Sequence, residues 1–157
     1  MIITSNSVSH HYTIPNLSII GEVNGLENVA YKAQIYLNSS TTFDHSYETT
    51  IYEMQSSAGI TTTVTEEKTV TEFTYYDVEL NTADISSDSF TAFDNLEEDQ
   101  VLQWCFDADE NTLQTREGME ARVLEAKDRI LNPLKYYRDS PVTPWRRRVD
   151  EASVNNL

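Results

Sequence analysis

The residues of this chain that could hold a metal ion are few and poorly spaced. Its three histidines are the adjacent His10 and His11, near the start, and His45. Adjacent side chains on a strand point to opposite faces of a sheet, so the first two cannot readily share one ion. We therefore interpret the histidines as exposed strand residues and predict neither a metal site nor a cofactor.

The acidic stretches could suggest calcium binding, but their spacing argues against it. Residues 107–111, Asp-Ala-Asp-Glu-Asn, resemble the opening of a calcium-binding loop. Such a loop needs glycine at its sixth position and glutamate at its twelfth, where this chain has Thr112 and Gly118. The acidic run from Glu97 to Asp99 is better explained as the start of a helix, whose dipole favours negative charge.

No motif in the chain predicts catalysis. The only cysteine, Cys105, lies between Trp104 and Phe106, which indicates a buried helix face and an inert thiol. The sequence contains no G-x-S-x-G, P-loop or G-x-G-x-x-G pattern, and it has only four glycines. We therefore predict that the protein has no catalytic residues and is not an enzyme.

The charge of the chain is distributed unevenly. Residues 1–115 contain two basic residues against nineteen acidic ones, a net charge of −17, whereas residues 116–157 contain nine against seven. An acidic body repels the phosphates of nucleic acids and anionic lipids, because binding to either depends on cations. No long apolar run and no secretory signal pattern occurs. We predict a soluble protein that binds neither nucleic acid nor membrane directly.

The first eighty residues have the composition and alternation of β-strands. The clearest strand runs from Asn28 to Leu37, and similar extended patterns occupy residues 12–14, 17–23, 43–54, 60–68 and 69–80. Pro15 is expected to break one of them, because proline cannot donate to a strand ladder. Short turn-like connections favour hairpins. Residues 1–80 are therefore predicted to form an acidic antiparallel sheet or small sandwich of four to six strands.

The periodicity changes after a polar linker at residues 81–94. Asn95 is a candidate helix cap with Glu98 three residues later, ahead of apolar residues at 101–106. A second helix is predicted from about residue 113 to residue 131, ending where Asn132 precedes Pro133. Two helices within residues 95–132 are thus expected to lie on the sheet, which makes the fold α+β.

The last segment, residues 133–157, contains three of the four prolines and too few apolar residues to bury itself. We predict an extended arm attached to a single domain. The arm could fold back on the acidic body, but we favour a partner, because proline-spaced segments are stiff and extended. Its aromatic and basic side chains are the candidate partner-binding residues: Tyr136, Tyr137, Trp145, Arg146, Arg147 and Arg148.

Three stretches of the chain, in order, resemble a known family. They are Gly-Leu-Glu-Asn-Val at 25–29, Phe-Thr-Ala-Phe-Asp-Asn-Leu-Glu-Glu-Asp-Gln-Val-Leu-Gln-Trp at 90–104, and Pro-Val-Thr-Pro-Trp at 141–145. The third follows a helix that closes in Asn132-Pro133. Together they resemble a family of small proteins of tailed bacteriophages, of the marine and cyanobacterial phage type. The resemblance implies phage origin and brings no catalytic residues.

Composition, charge and resemblance together predict a non-enzymatic accessory protein of the phage particle. A capsid decoration, neck or tail component, assembled in the host cytoplasm, fits this prediction. The expected partners are other virion proteins or further copies of the chain itself, contacted through protein surfaces. The alternative is a phage protein that stays outside the particle and binds a host factor, with its acidic body mimicking nucleic acid.

Overall fold

The computed structural model of the protein describes residues 1–52, 59–83 and 85–136. In this part of the chain, one antiparallel sheet has the order β1-β2-β3-β4, with β1 Ile2–Ser5, β2 Val8–Val23, β3 Leu26–Tyr52 and β4 Gly59–Glu79. A 3-10 helix, Phe93–Asn95, is followed by α1 Glu98–Ala108, α2 Thr112–Leu131 and α3 Pro133–Tyr136. The predicted α+β class is confirmed, and the described strands form a single sheet, not a sandwich.

The two long strands are continuous where the sequence pattern indicated separate segments. Ser39, in the polar stretch between the two predicted halves of β3, pairs with His10 of β2 on one side and Glu72 of β4 on the other. A central strand satisfies its backbone groups on both sides, and this pairing overrides the weak strand propensity of asparagine and serine. The outer strand β4 is continuous for the same reason, because β3 pairs with its whole length.

Two tight turns connect the first three strands. Asn6 and Ser7 have φ angles of 49° and 64°, and Asn24 and Gly25 have φ angles of 51° and 79°. Two-residue turns with positive φ at both positions match the twist of paired strands, and Asn-Gly is a frequent sequence for them. These turns place β1, β2 and β3 side by side as a meander.

Pro15 does not end β2, although the sequence analysis expected it to break the strand. The pairing register between β2 and β3 shifts between Thr13 and Asn16 instead, which forms a bulge. The bulge accommodates the residue that cannot donate to the ladder. At this bulge, the backbone N–H of Ile14 donates to a carboxylate oxygen of Glu98 at 3.2 Å, which links the sheet to α1.

The described helices lie on one face of the sheet, and the core forms between them. Along β3, the buried residues Ala33, Ile35 and Leu37 alternate with the partly exposed Gln34 and Tyr36. The first set faces the helices, and the second set faces away from them. We call the surface that points away from the helices the open face. The buried core cluster consists of Tyr12, Ala33, Ile35, Leu37, Val78, Val101, Leu102, Cys105 and Met119.

Helix α1 begins later than the predicted cap. Asn95 lies in the 3-10 helix, and Glu97 is the N-cap, with no hydrogen bond from its side chain to the backbone. The predicted burial of Cys105 is confirmed, but Trp104 and Phe106 are only half-buried. Successive residues in a helix are rotated by about 100°, so the neighbours of a residue that points into the core must lie at its margins.

The first four residues of the predicted arm differ from the expected extended conformation. Pro133–Tyr136 form α3, with proline at a first helical position, where no N–H is needed. The side chains of Lys135 and Tyr136 donate to the Asp128 carboxylate at 2.8 and 2.5 Å. The Lys135 ammonium and the Tyr136 hydroxyl hold the pKa of Asp128 well below its ordinary value. The remainder of the predicted arm, residues 137–157, lies outside the described residues.

Candidate functional site

A serine, a histidine and a glutamate meet between the sheet and α2. These are the residue types of a hydrolytic triad. The side-chain oxygen of Ser39 lies 2.7 Å from Nδ1 of His10, and Nε2 of His10 lies 3.5 Å from a carboxylate oxygen of Glu120. Strand pairing brings the first two together, because His10 and Ser39 are directly opposite each other on β2 and β3.

Burial separates this cluster from any substrate. The side chains of His10 and Ser39 are both fully buried, and a catalytic nucleophile must contact the substrate. Burial lowers the pKa of His10, although the nearby Glu120 carboxylate opposes this effect. In the neutral imidazole, a proton on Nε2 would face the Glu120 carboxylate and leave Nδ1 to accept from the Ser39 hydroxyl. The cluster is therefore structural. The prediction of exposed histidines is wrong for His10 and confirmed for His11, whereas His45 is only partly exposed.

Glu120 also connects α2 to the turn between β1 and β2. The side-chain amide of Asn6 donates to its carboxylate, and this hydrogen bond is the main cause that lowers the pKa of Glu120. Asn6 is one of the two residues of the first tight turn, with positive φ. The cluster thus joins three elements of the fold through polar contacts beside the apolar core.

We expect the stability of the protein to decrease as the pH falls below the pKa of histidine in the unfolded chain, about 6.5. The pKa of His10 is lower in the folded protein than in the unfolded chain, so the unfolded chain takes up a proton first. The free energy of unfolding is therefore lost as the pH falls from 6.5 toward the folded pKa, with a slope of at most about 1.4 kcal/mol per pH unit. Urea unfolding at a series of pH values measures this slope.

The matched variants for this measurement are His10→Gln and His11→Gln. Removal of the buried imidazole should flatten the pH dependence between about pH 6.5 and 5. Removal of the exposed neighbour should leave the slope as in the wild type, since that side chain faces solvent. Equal slopes in the wild type and His10→Gln would show that His10 is not the group responsible.

The open face carries a cluster of three aromatic side chains in mutual contact. The ring centroids of Tyr36 and Tyr75 are 4.7 Å apart, and those of Tyr36 and Phe73 are 6.0 Å apart. Tyr36 and Tyr75 are directly opposite in the β3–β4 register, which brings their rings together. Phe73 is 59% exposed and Tyr75 is 55% exposed. The three rings therefore support one another while they present apolar surface to solvent.

A row of paired residues extends this surface across all four strands. Ile2 of β1 pairs with His11, His11 with Asn38, and Asn38 with Phe73 of β4. Both ends of the row are exposed apolar side chains, and Ile2 is 65% exposed. The row therefore places exposed apolar side chains at both edges of the open face, with His11 and Asn38 between them.

Strands β3 and β4 continue beyond the helices as a two-stranded ribbon. The side chain of Lys127, near the end of α2, lies 5.4 Å from the ring centroid of Phe43. Past this point, no described side chain at 44–50 or 59–67 is buried. Side-chain hydroxyl groups bridge the two strands in three places: Thr42 and Thr69 at 2.9 Å, Ser46 and Thr65 at 2.8 Å, and Thr50 and Thr61 at 3.2 Å.

A cleft of about 390 Å³ lies between α1, the start of β3 and the linker that follows β4. Apolar walls come from Ala30, Leu80, Ile85 and Trp104, and the carboxylate of Asp107 is among the polar groups that line it. Its volume lies within the range of roughly 300–1,000 Å³ that is usual for ligand sites. The half-buried position of Trp104 follows from its place in this wall.

The surroundings of the single cysteine do not make its thiol reactive. Cys105 is fully buried, and burial raises the pKa of its thiol to about 11, so the thiol stays protonated at neutral pH. Residues 112–118, which a calcium loop would need as its second half, belong to α2. Among the residues that the structure describes, no group of three or more histidine, cysteine, aspartate or glutamate side chains is arranged to hold a metal ion.

Of the predicted partner-binding residues, the structure describes Tyr136 alone. Its hydroxyl is bonded to Asp128, and the guanidinium carbon of Arg129 lies 5.3 Å from its ring centroid. Tyr136 is therefore held against the end of α2, and its role in binding a partner stays a prediction. The other predicted residues lie outside the described part of the chain: Tyr137, Trp145, Arg146, Arg147 and Arg148.

The sequence analysis missed the aromatic cluster as a candidate surface. The available signal was aromatic residues on both faces of one strand, with Phe73 and Tyr75 on one side and Tyr76 on the other. Tyr76 faces the helices and packs against the core, whereas the first two face solvent. Alternation alone shows that these residues separate into two faces, but not which face the helices cover.

The fold and its surfaces define an α+β protein whose single sheet is covered by helices on one side and open on the other. The chain belongs to the family described as a domain of unknown function, DUF7936, whose model matches residues 7–145. No curated protein matches the chain, and no solved structure matches it. None of the described helices combines the length and the apolar composition needed to cross a membrane.

Proposed function

We propose that this protein works by binding another protein through its open face, without catalysis. The observation that carries the proposal is the cluster of Tyr36, Phe73 and Tyr75, in which two rings are more than half exposed. Exposed contiguous apolar surface on a folded protein marks an interaction site. Aromatic residues are also enriched at protein interfaces.

The geometry of the cluster favours binding in a second way. Each ring already contacts a neighbour, with Phe73 and Tyr75 6.4 Å apart between centroids. Side chains held by neighbours lose little rotamer freedom when a partner covers them, which lowers the entropy cost of association. The ribbon, whose described side chains are all exposed or partly exposed, supplies additional area next to the cluster.

The setting that we propose is a bacteriophage particle, in which the protein is an accessory component assembled in the host cytoplasm. The resemblance of residues 25–29, 90–104 and 141–145 to tailed-phage proteins supports this setting. The partner of the open face would then be another virion protein. A rigid sheet that presents aromatic side chains is suited to such a role, because its contact surface is formed before binding.

We expect the double variant Phe73→Ser, Tyr75→Ser to fold normally but to be lost from phage particles. Truncation of exposed aromatic anchors typically weakens binding by about 2 kcal/mol or more each, which is at least roughly 30-fold. Quantitative mass spectrometry of purified particles that carry wild-type or variant protein measures the copy number. Circular dichroism of the purified variant checks that the fold is retained.

The matched control is Leu113→Ser, which removes an exposed apolar side chain from α2, on the other side of the sheet. Leu113 is 52% exposed and should not affect incorporation. Normal incorporation of the double variant would reject the open face as the binding surface. Absence of the wild-type protein from particles would reject the virion role and favour the host-factor alternative.

A further inference from the structure

The outer edge of β4 is the longest unpaired strand edge in the described part of the sheet. β4 pairs with β3 along its whole length, and no described element pairs with its other side. We infer that this edge pairs with β4 of a second copy of the chain, in antiparallel orientation about a two-fold axis. The inference concerns a surface other than the open face and does not rest on the proposed function.

The sequence of β4 lacks two of the devices by which proteins protect an edge strand, proline and β-bulges. Residues 59–79 contain no proline, and the register with β3 continues without a shift from Gly59 to Glu79. The strand is 21 residues long, whereas a typical strand has about five or six. Charged side chains are a third protective device, and in β4 their order instead favours one pairing of two copies.

The two-fold axis limits how two copies of β4 can pair. Antiparallel edge strands are related by an axis perpendicular to the sheet, and side chains directly opposite each other lie on the same face. In β4, odd-numbered residues such as Phe73 are on the open face, and even-numbered residues such as Tyr76 are on the helix face. Odd residues of one copy must therefore face odd residues of the other. The helices of both copies then lie on one side of the joint sheet.

The charges along β4 are self-complementary in one register. When Val70 faces Val70 of the second copy, Lys68 faces Glu72, and no two like charges are directly opposite each other. The pair occurs twice in the dimer, because the axis relates the two copies. Opposite charges at directly paired positions stabilise antiparallel strands. Lys68 is the only basic residue of β4, so this register places the one cation of each strand opposite an acid.

The neighbouring registers lose this complementarity. A shift of the centre by one residue toward the ribbon brings Glu66 opposite Glu72. A shift by two brings the two copies of Lys68 together, and a shift by three brings the two copies of Glu67 together. A shift by one residue in the other direction leaves Lys68 opposite Thr74, without an ion pair. Like charges at directly opposite positions are destabilising, so the register centred on Val70 is favoured.

The charged side chains of this register are accessible. The side chains of Lys68 and Glu72 are 39% and 32% exposed, so the described helices leave part of each uncovered. Arg122 of α2 donates to Glu72 at 3.1 Å, and the Lys68 ammonium lies 3.4 Å from a carboxylate oxygen of Glu66. In the dimer, the contact between Glu72 of one copy and Lys68 of the other would connect these two pairs into a row of alternating charges.

The dimer would also enlarge the open face. Each copy contributes four strands, and both open faces lie on the same side of the joint sheet. Phe73 of one copy faces Glu67 of the other, so the two aromatic clusters lie close to the seam on either side of the axis. A partner with two matching sites could contact both clusters at once, which increases its apparent affinity.

We expect the wild-type protein to form a dimer in sedimentation velocity at near-physiological ionic strength. Lys68→Glu and Glu72→Lys should each weaken the dimer at least about tenfold, because each dimer contains two of these pairs and each substitution turns both from attraction to repulsion. Both side chains are partly exposed, so the variants should remain folded. Circular dichroism of each variant checks this.

A mixture of the two variants tests the register directly. In a mixed dimer, the introduced glutamate of one copy faces the introduced lysine of the other, and the unchanged Glu72 and Lys68 face each other. An equimolar mixture of Lys68→Glu and Glu72→Lys should therefore dimerise about as strongly as the wild type, although each variant alone does so weakly.

Glu67→Lys is the matched control for Glu72→Lys. It makes the same charge change on the same strand, but in this register residue 67 faces the uncharged Phe73. Glu67→Lys should dimerise at least as well as the wild type, because it lowers the net negative charge of the body. Opposite effects of the two substitutions would separate the specific pair from general charge repulsion.

Three results would overturn the inference. The first is a wild-type protein that stays monomeric at about 100 µM, well above the Kd range of specific assemblies, which would also be the result if residues 137–157 covered the edge. The second is a mixture of Lys68→Glu and Glu72→Lys that does not dimerise. The third is equal weakening by Glu67→Lys and Glu72→Lys. None of these results bears on the open face, since particle incorporation of the Phe73→Ser, Tyr75→Ser variant is measured separately.

Discussion

Replacement of Leu37 by aspartate should unfold the protein, whereas the same replacement of its neighbour Asn38 should be tolerated. Leu37 is fully buried and lies opposite Tyr12 on β2 and Thr74 on β4. A carboxylate at this position would be buried in an apolar core without a partner, which costs several kcal/mol. This cost is comparable with the whole stability of a domain, about 5–15 kcal/mol.

Asn38 provides a matched control because it occupies the next position on β3 and points to the open face. Asn38→Asp should change the free energy of unfolding by no more than about 0.5 kcal/mol, as surface substitutions usually do. Circular dichroism and thermal unfolding of both variants measure the difference. A cooperative transition in Leu37→Asp, or loss of folding in Asn38→Asp, would show that the faces of the sheet are assigned incorrectly.

The second large effect is expected for Leu102→Ala in α1. Leu102 is fully buried in the core cluster, and truncation of a buried leucine costs about 2–5 kcal/mol through lost apolar contacts and a residual cavity. For a domain of this size, such a loss lowers the melting temperature by roughly 5–15 °C. Differential scanning calorimetry of the variant measures it.

Leu113→Ala is the corresponding control on the exposed surface of α2. This leucine is 52% exposed, and its truncation should change the free energy of unfolding by about 0.5 kcal/mol or less. Equal losses from both variants would be inconsistent with α1 packed on the sheet. A large loss from Leu102→Ala alone would support the arrangement in which α1 encloses the core.

The open face, with Phe73 and Tyr75, would bind a different protein. The buried His10 cluster does not contribute to this contact directly, but it links α2 to the sheet through Ser39 and Glu120.

Several features of the fold could be predicted from the sequence because they depend on local periodicity. The change from alternating residues to a helical stripe separates the sheet from the helices, and α2 begins within one residue of its predicted start. The end of α2 was also predicted, since Asn132 precedes Pro133. Burial of Cys105 followed from its place among apolar residues in a helical pattern.

Other features were decided by tertiary contacts between distant residues. His10 is buried because β3 supplies Ser39 as a hydrogen-bond partner and α2 supplies Glu120, 110 residues away in the sequence. Trp104 lines a cleft because α1 places it beside the start of β3 and the linker that follows β4. Local sequence patterns do not encode such contacts, because the contacts depend on which elements come together in space.

The sequence by itself determined the α+β class, the acidic character of the body, and the division of each strand into two faces. Only the tertiary structure decided that the helices cover the face with Leu37 and Tyr76 and leave the face with Tyr36 and Phe73 open. Both faces of these strands carry aromatic residues, so composition does not distinguish them. The choice depends on which face matches the apolar stripe of the helices, and packing of whole elements resolves it.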